Sequence, residues 1–181
     1  DGNLLQLADA AIVVTGNTTI DTGTGDICLT GGACDGGSDA PIANENRFDG
    51  TLTLISSGSV VIAENDDIAI DGVSGGGNYR FIGNNIQINT SITASQLVLE
   101  ASHGVDYNGN AIDVVDLMLI GDGQFDFGVT SETAITLDNL AANITGDLNL
   151  IVDSHVKIGD ITFSSDCGDI EACGINIDGG D

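Results

Sequence analysis

Positive charge is nearly missing from this 181-residue chain: three Lys and Arg stand against 28 Asp and Glu, a formal charge of −25. Such a surface repels phosphate backbones and anionic bilayers, which excludes nucleic acid and acidic membranes as partners and favours cations. There is no Trp, one Pro, one Met, five Phe and two Tyr. The helix formers Lys, Arg, Gln and Glu are scarce, which argues against a helical fold. No apolar run approaches the length of a membrane span. The sequence has no initiator Met and no signal-peptide pattern, so it reads as a mature or excised segment. Arg47, Arg80 and Lys157 are the whole basic complement. A lyase or hydrolase on a β-helix needs a basic group or close carboxylates in a groove, and none is evident. G-x-S-x-G, H-E-x-x-H and phosphate-binding glycine loops are also absent, so the expectation is no enzyme and no cofactor.

What remains is a strand-and-turn vocabulary: Ile, Leu, Val and Ala with abundant Thr, Asn, Asp, Ser and 26 Gly. The 41% hydrophobic content argues for a packed core in spite of the acidity. One domain over 1–181 is the natural division.

A short phrase recurs. "TLTLISSGSVVIA" (51–63), "LVLEASHGVDY" (97–107), "LMLIGDGQFDF" (117–127) and "LNLIVDSHVKI" (148–158) each hold two period-2 strands around a turn. Leu52-x-Leu54, Leu97-x-Leu99, Leu117-x-Leu119 and Leu148-x-Leu150 lead respectively to Val60-x-Ile62, Val105-x-Tyr107, Phe125-x-Phe127 and Val156-x-Ile158. A decayed copy is expected at Leu5-x-Leu7. Third strands follow at Ile68-x-Ile70, Ile112-x-Val114, Ile135-x-Leu137 and Ile161-x-Phe163, and "NIQINTSI" (85–92) is written in the same style. Period 2 puts the named residues on one face and leaves a mixed, solvent-tolerant face opposite. Repeats at roughly 20–50 residues imply stacked units that cannot bury their own face alone. A hairpin sandwich would want two-residue turns such as Asn-Gly, and that pair occurs once, at Asn108-Gly109. The expected fold is therefore all-β: a three-sided parallel β-solenoid of seven or eight coils, with loop insertions. Excursions from the coil are expected near 30–50 and 71–79, and a short insertion at 128–134.

Four cysteines form two equally spaced pairs, Cys28/Cys34 and Cys167/Cys173. Five intervening residues with glycines suit two small disulfide rings better than zinc, which prefers tighter pairs and His. Disulfides imply an oxidising, extracytoplasmic location. Asp106, Asn108 and Asn110 alternate like the opening of a calcium loop, but the glycine at the sixth place and the distal Glu are missing, so an EF-hand is excluded. Asp106, Asn108 and Asn110 are thus the candidate calcium ligands. Glu64, Asp66 and Asp67 read as a solvated corner, and His103 and His155 as equivalent turn residues on one side of the rod. Asn-x-Ser/Thr sequons stand at Asn17, Asn89 and Asn143.

"ITASQLVLEASHGVDYNGNAID", with its "LxLxxxxGV" heart, resembles the coils of filamentous-haemagglutinin-like exoproteins, secreted by two-partner or autotransporter routes. The resemblance covers residues 50–163 in style. It implies a right-handed parallel β-helix, export, and a role in adhesion or surface structure, and it brings no catalytic residues. Together these readings give an extracellular or cell-surface structural subunit that self-associates into a fibre through solenoid ends or edges. The alternative is an adhesin segment that binds glycans or neighbouring cells through its loops.

Overall fold

A computed structural model describes residues 2–7, 10–31, 46–108, 111–127, 134–152, 155–163 and 169–178. The chain is all-β, with stacked parallel strands winding a β-solenoid of about six turns. The strands, in chain order, are β1 (Leu4–Leu5), β2 (Val13–Val14), β3 (Thr18–Gly23), β4 (Ile27–Leu29), β5 (Arg47–Phe48), β6 (Leu52–Ser56), β7 (Ser59–Ala63) and β8 (Ile68–Ser74). They continue as β9 (Asn78–Ile88), β10 (Ile92–Tyr107), β11 (Ala111–Asp126), β12 (Ala134–Asn149), β13 (Lys157–Ile158), β14 (Asp160–Phe163), β15 (Ile170–Cys173) and β16 (Ile175–Asp178). The longest of these bend around corners, so β10 alone supplies all three sides of a coil.

Aliphatic pairs stack vertically on each side. On the first wall, Ile27, Val60, Tyr79, Leu97, Leu117 and Leu140 lie over one another, and so do Leu29, Ile62, Phe81, Leu99, Leu119 and Ala142. The second wall stacks Ile68, Ile86, Val105, Phe125 and Leu148. The third stacks Ile20, Leu54 and Val73 at one end, then Ile92, Ile112 and Ile135. Most of these inner residues form one continuous buried cluster, with Ile20, Val73 and Leu148 partly buried against it. From Val60 onward, successive first-wall positions are nineteen, eighteen, twenty and twenty-three residues apart. At the strand spacing of about 4.8 Å, six turns make a rod roughly 29 Å long.

The register corrects several sequence expectations. Only Leu97/Leu99 and Leu117/Leu119 of the four Leu-x-Leu pairs share a wall. Leu54 belongs to the third wall, and Leu148 continues the second-wall column beneath Phe125. Leu4, not Leu5, pairs with Ile27, so Leu5 and Leu7 lie off the inner column and are exposed. Residues 71–79 are not an excursion: 71–74 finish β8, 75–77 turn a corner and 78–79 begin β9. Strand β4 ends at Leu29 and β5 begins at Arg47; of the expected excursion near 30–50, residues 32–45 lie outside the described residues. Residues 128–133 lie outside them as well.

The largest departure is at the C-terminal end. Ile161 and Phe163 do not face the tube. They lie on β14, which pairs antiparallel with β15 as a hairpin. This hairpin interrupts a single coil strand: β13 lies along Asn139–Leu140 of β12, and β16 resumes along Ala142–Thr145. Gly174 N donates to Gly159 O at 3.1 Å across the neck. The hairpin then covers the outer face of the first wall. Val61, Val98, Met118 and Ala141 point outward there and are buried with Ile161, Phe163 and Ala172 in a second apolar cluster. Gln96 Nε2 donates to Thr162 O at 3.1 Å at its margin.

Two corner glycines explain why the backbone can turn between the first and second walls. Gly121 and Gly123 have φ of 125° and 94°. A Cβ at either would run into the carbonyl oxygen of Ala101 or His103 one coil away, so neither the dihedral nor the space admits a side chain.

Candidate functional site

Outward positions of the second wall build a polar surface. A shallow concavity of about 580 Å³ is lined by Asp67, Asn85, Gln87, His103, Asp106, Gln124 and Asp126, with backbone-adjacent apolar residues between them. Period 2 places these side chains outside because Ile68, Ile86, Val105 and Phe125 take the inside. Amides interleave the acids. Asn85 Nδ2 donates to Asp67 Oδ1 at 2.8 Å, and Asn149 Nδ2 to Asp126 Oδ1 at 3.1 Å. Asn89 Nδ2 donates to Asp71 Oδ1 at 3.2 Å. Next to the first wall, Asp116 accepts from Gln96 at 3.0 Å and Asn139 at 2.7 Å.

The calcium candidate falls beside this surface. Asp106 is exposed on β10, and Asn108 Nδ2 donates to Asp106 Oδ2 at 3.3 Å. Asn110 lies outside the described residues. The pair therefore satisfies itself, and no group of three or more His, Cys, Asp or Glu side chains able to hold a metal occurs among the described residues.

The cysteine expectation divides. Cys28 is buried in β4 and disulfide-bonded, but no bonded pair falls within the described residues, and Cys34 lies outside them. Cys173 is exposed and free, so the expected Cys167/Cys173 ring is not closed; Cys167 lies outside the described residues. Cys173 ends β15, opposite Asp160 of β14. Slight desolvation and the nearby carboxylates of Asp160 and Glu171 push its thiol pKa up, so at neutral pH it is a protonated, weakly reactive thiol.

The two histidines are not equivalent. His103 lies at the corner leaving the first wall, where its Nδ1 sits 3.0 Å from Ser102 Oγ, whereas His155 precedes the first-wall strand β13. Of the basic residues, Arg80 pairs with Glu100 at 2.8 Å on the outer first wall. Arg47 pairs with Asp49 at 2.6 Å on the surface. The sequon residues Asn17, Asn89 and Asn143 are all exposed.

Sequence reasoning missed Glu64. It is not part of a solvated corner: the residue is only 5% exposed. Its Oε1 accepts from Phe48 N at 2.6 Å, while Oε2 is buried without a hydrogen-bond partner among the described residues. Burial, more than the neighbouring Asp66, Asp49 and Asp67, pushes its carboxyl up to about 7. Beside it Asn46 and Gln6 are also buried. They bond to each other twice, Asn46 Nδ2 to Gln6 Oε1 at 2.7 Å and Gln6 Nε2 to Asn46 Oδ1 at 2.6 Å. The one signal in the sequence was position: Glu64 directly follows the unbroken apolar run Val60–Ala63.

No family model matches this chain, and neither the search of curated proteins nor that of solved structures returned a match.

Proposed function

We propose that the chain is a non-catalytic structural segment of an extracellular filament or surface layer, which self-associates through the open ends of its solenoid. The observation that carries this reading is the state of those ends. Leu4, Leu5, Leu7 and Val13 are exposed at the N-terminal end, and Ile151, Ile158, Ile175 and Ile177 at the other. Among the described residues, strands β1 and β13 each pair with one strand and so present an open edge. Edges of this kind pair with another parallel strand unless blocked.

The magnitudes suit a reversible assembly. Eight half-exposed aliphatic side chains at about 1 kcal/mol each give roughly 8 kcal/mol on burial. Association costs on the order of 4–15 kcal/mol before any contact is counted. Edge hydrogen bonds add to the favourable side, and the repulsion of −25 on each copy opposes it. Assembly is therefore salt- and calcium-dependent, through diffuse screening. The extracellular location rests on the disulfide-bonded Cys28 and on the exoprotein resemblance. The adhesin alternative loses one of its two loops, because 71–79 belongs to the wall.

Light scattering and negative-stain imaging of the purified chain, with and without calcium, test the reading. Rods lengthening in steps of roughly 29 Å, as expected for six strand spacings each, support it, and Ile177→Lys or Leu5→Lys should shorten them. A monomer at all salt and calcium concentrations would overturn it.

A further inference from the structure

Glu64 sits where side chains add to strand pairing in joining three coils. Strand β5 pairs with β2 below it, and no pairing to a strand above it occurs among the described residues. The Glu64 carboxyl fills that place by accepting the Phe48 amide. Asn46, just before β5, extends the join. Its Nδ2 reaches Ala63 O at 3.3 Å, its carbonyl accepts from Asn65 N at 3.2 Å, and its Oδ1 accepts from Ile12 N at 2.9 Å. Gln6 continues it to the first coil, where its Oε1 accepts from Gly31 N at 2.8 Å. From the other side, Glu64 N donates to Ile82 O at 2.8 Å and ties the corner into β9.

We propose that Glu64 makes the docking of the two N-terminal coils onto the rest of the solenoid pH-sensitive: tight when its carboxyl is protonated, loosened when it ionises. An ionised Glu64 would hold a full charge beside an oxygen with no donor among the described residues, and burying an unpaired charge is costly. The acids facing it add repulsion, and Arg47 attracts its ionised form only weakly. Asp66 and Asp67 on its own corner and Asp49 beyond β5 are all acids. Arg47 is already engaged with Asp49 on the exposed side. Strand β9 presents the Ile82 carbonyl, and Gln6 and Asn46 are neutral. A raised folded-state carboxyl favours the docked form fully below the ordinary Glu value. That advantage is lost as pH climbs from about 4.5 toward about 7. The proposal does not depend on the filament reading, though it places a pH control at one of the ends that reading uses.

Hydrogen exchange at pH 5.5 and 8.5, corrected for the intrinsic rate, tests it on the intact chain. The opening equilibrium of peptides covering 4–29 and 46–56 should rise about tenfold at the higher pH; the unscreened shift would give about 30-fold over this interval. Peptides covering 97–119 should stay flat, and Glu64→Gln should flatten the N-terminal response. A wild-type N-terminal response that is absent, or that survives unchanged in Glu64→Gln, overturns the proposal. If Glu64→Gln fails to fold, carbon-detected NMR titration of Glu64 in the wild type decides. Titration near neutrality sustains the proposal, and titration in the ordinary carboxylate range ends it.

Discussion

Removing the Phe163 ring should release the C-terminal hairpin and leave the solenoid standing. Phe163 is completely buried, yet its neighbours are Val98, Met118, Ala141, Ile161 and Ala172 on the outer face of the first wall, a cluster separate from the inner core. Burial of a Phe side chain contributes about 3 kcal/mol by transfer, and Phe→Ala in a packed site costs about 3–5 kcal/mol once the cavity is included. Apart from this cluster, the hairpin is held by its neck and by bonds such as that from Gln96 to Thr162 O. A loss of about 4 kcal/mol therefore falls mainly on hairpin docking, and local opening of β14 and β15 should rise on the order of a thousandfold. The inner columns contribute none of these contacts, so exchange in β9–β11 should be nearly unchanged. Hydrogen exchange of Phe163→Ala reads both regions at once, and limited proteolysis between Phe163 and Ile170 gives a second readout. Equal loss of protection in the hairpin and in peptides 79–88 and 97–107 would refute the argument, because it would make the outer cluster part of one cooperative core.

Gly121→Ala should cost about 2–4 kcal/mol in urea denaturation, because it combines a φ of 125° with a Cβ directed at the Ala101 carbonyl. Gly76→Ala, with φ 75° but open space around it, should cost only about 1 kcal/mol, and equal losses would show that corner crowding is unimportant. Tyr79→Phe should lower the urea midpoint by the equivalent of about 1–2 kcal/mol with an unchanged slope. It removes the hydroxyl that donates to Ser56 O at 2.7 Å and leaves the ring stacked on Phe81; a neutral result would mean that water replaces this bond.

The tube itself was legible because period-2 aliphatic pairs recur on every side, but which wall each pair belongs to was not. Leu52-x-Leu54 and Leu148-x-Leu150 look like Leu97-x-Leu99, since all three walls bury the same kind of pair. The informative feature is the gap between pairs. Ile92-x-Ala94, Ile112-x-Val114 and Ile135-x-Leu137 each end three residues before a first-wall pair, and each is in register with the next. That short gap marks the corner between the third and first walls, and neither Leu52-x-Leu54 nor Leu148-x-Leu150 follows it. The outer cluster also left a trace. First-wall strands read "VVIA", "LVL" and "LML", apolar at every position, as strands buried on both faces do. Period 2 alone treats the middle residue as exposed, so the hairpin that covers Val98 and Met118 went unseen. The same rule places Ile161-x-Phe163 in the tube.

The acidic and amide residues carry the last step. Asn and Asp suggested turns, yet Asn85, Asn139, Asn143 and Asn149 lie within strands. A parallel solenoid sets like positions about 4.8 Å apart, where two carboxylates repel by about 0.9 kcal/mol even in water. A chain of charge −25 would accumulate that cost along every outward column. Placing an amide next to an acid turns the repulsion into a donated hydrogen bond, as between Asn85 and Asp67, Asn139 and Asp116, and Asn149 and Asp126. Among the described strand pairings, only Asp106 and Asp126 set two acids opposite each other. Asn108 and Asn149 each donate to one of them. The polar content of the outer walls is thus accounted for by the requirement that stacked coils tolerate their own charge. A binding role for the second-wall concavity would need a ligand that competes with these amides for the same carboxylate oxygens.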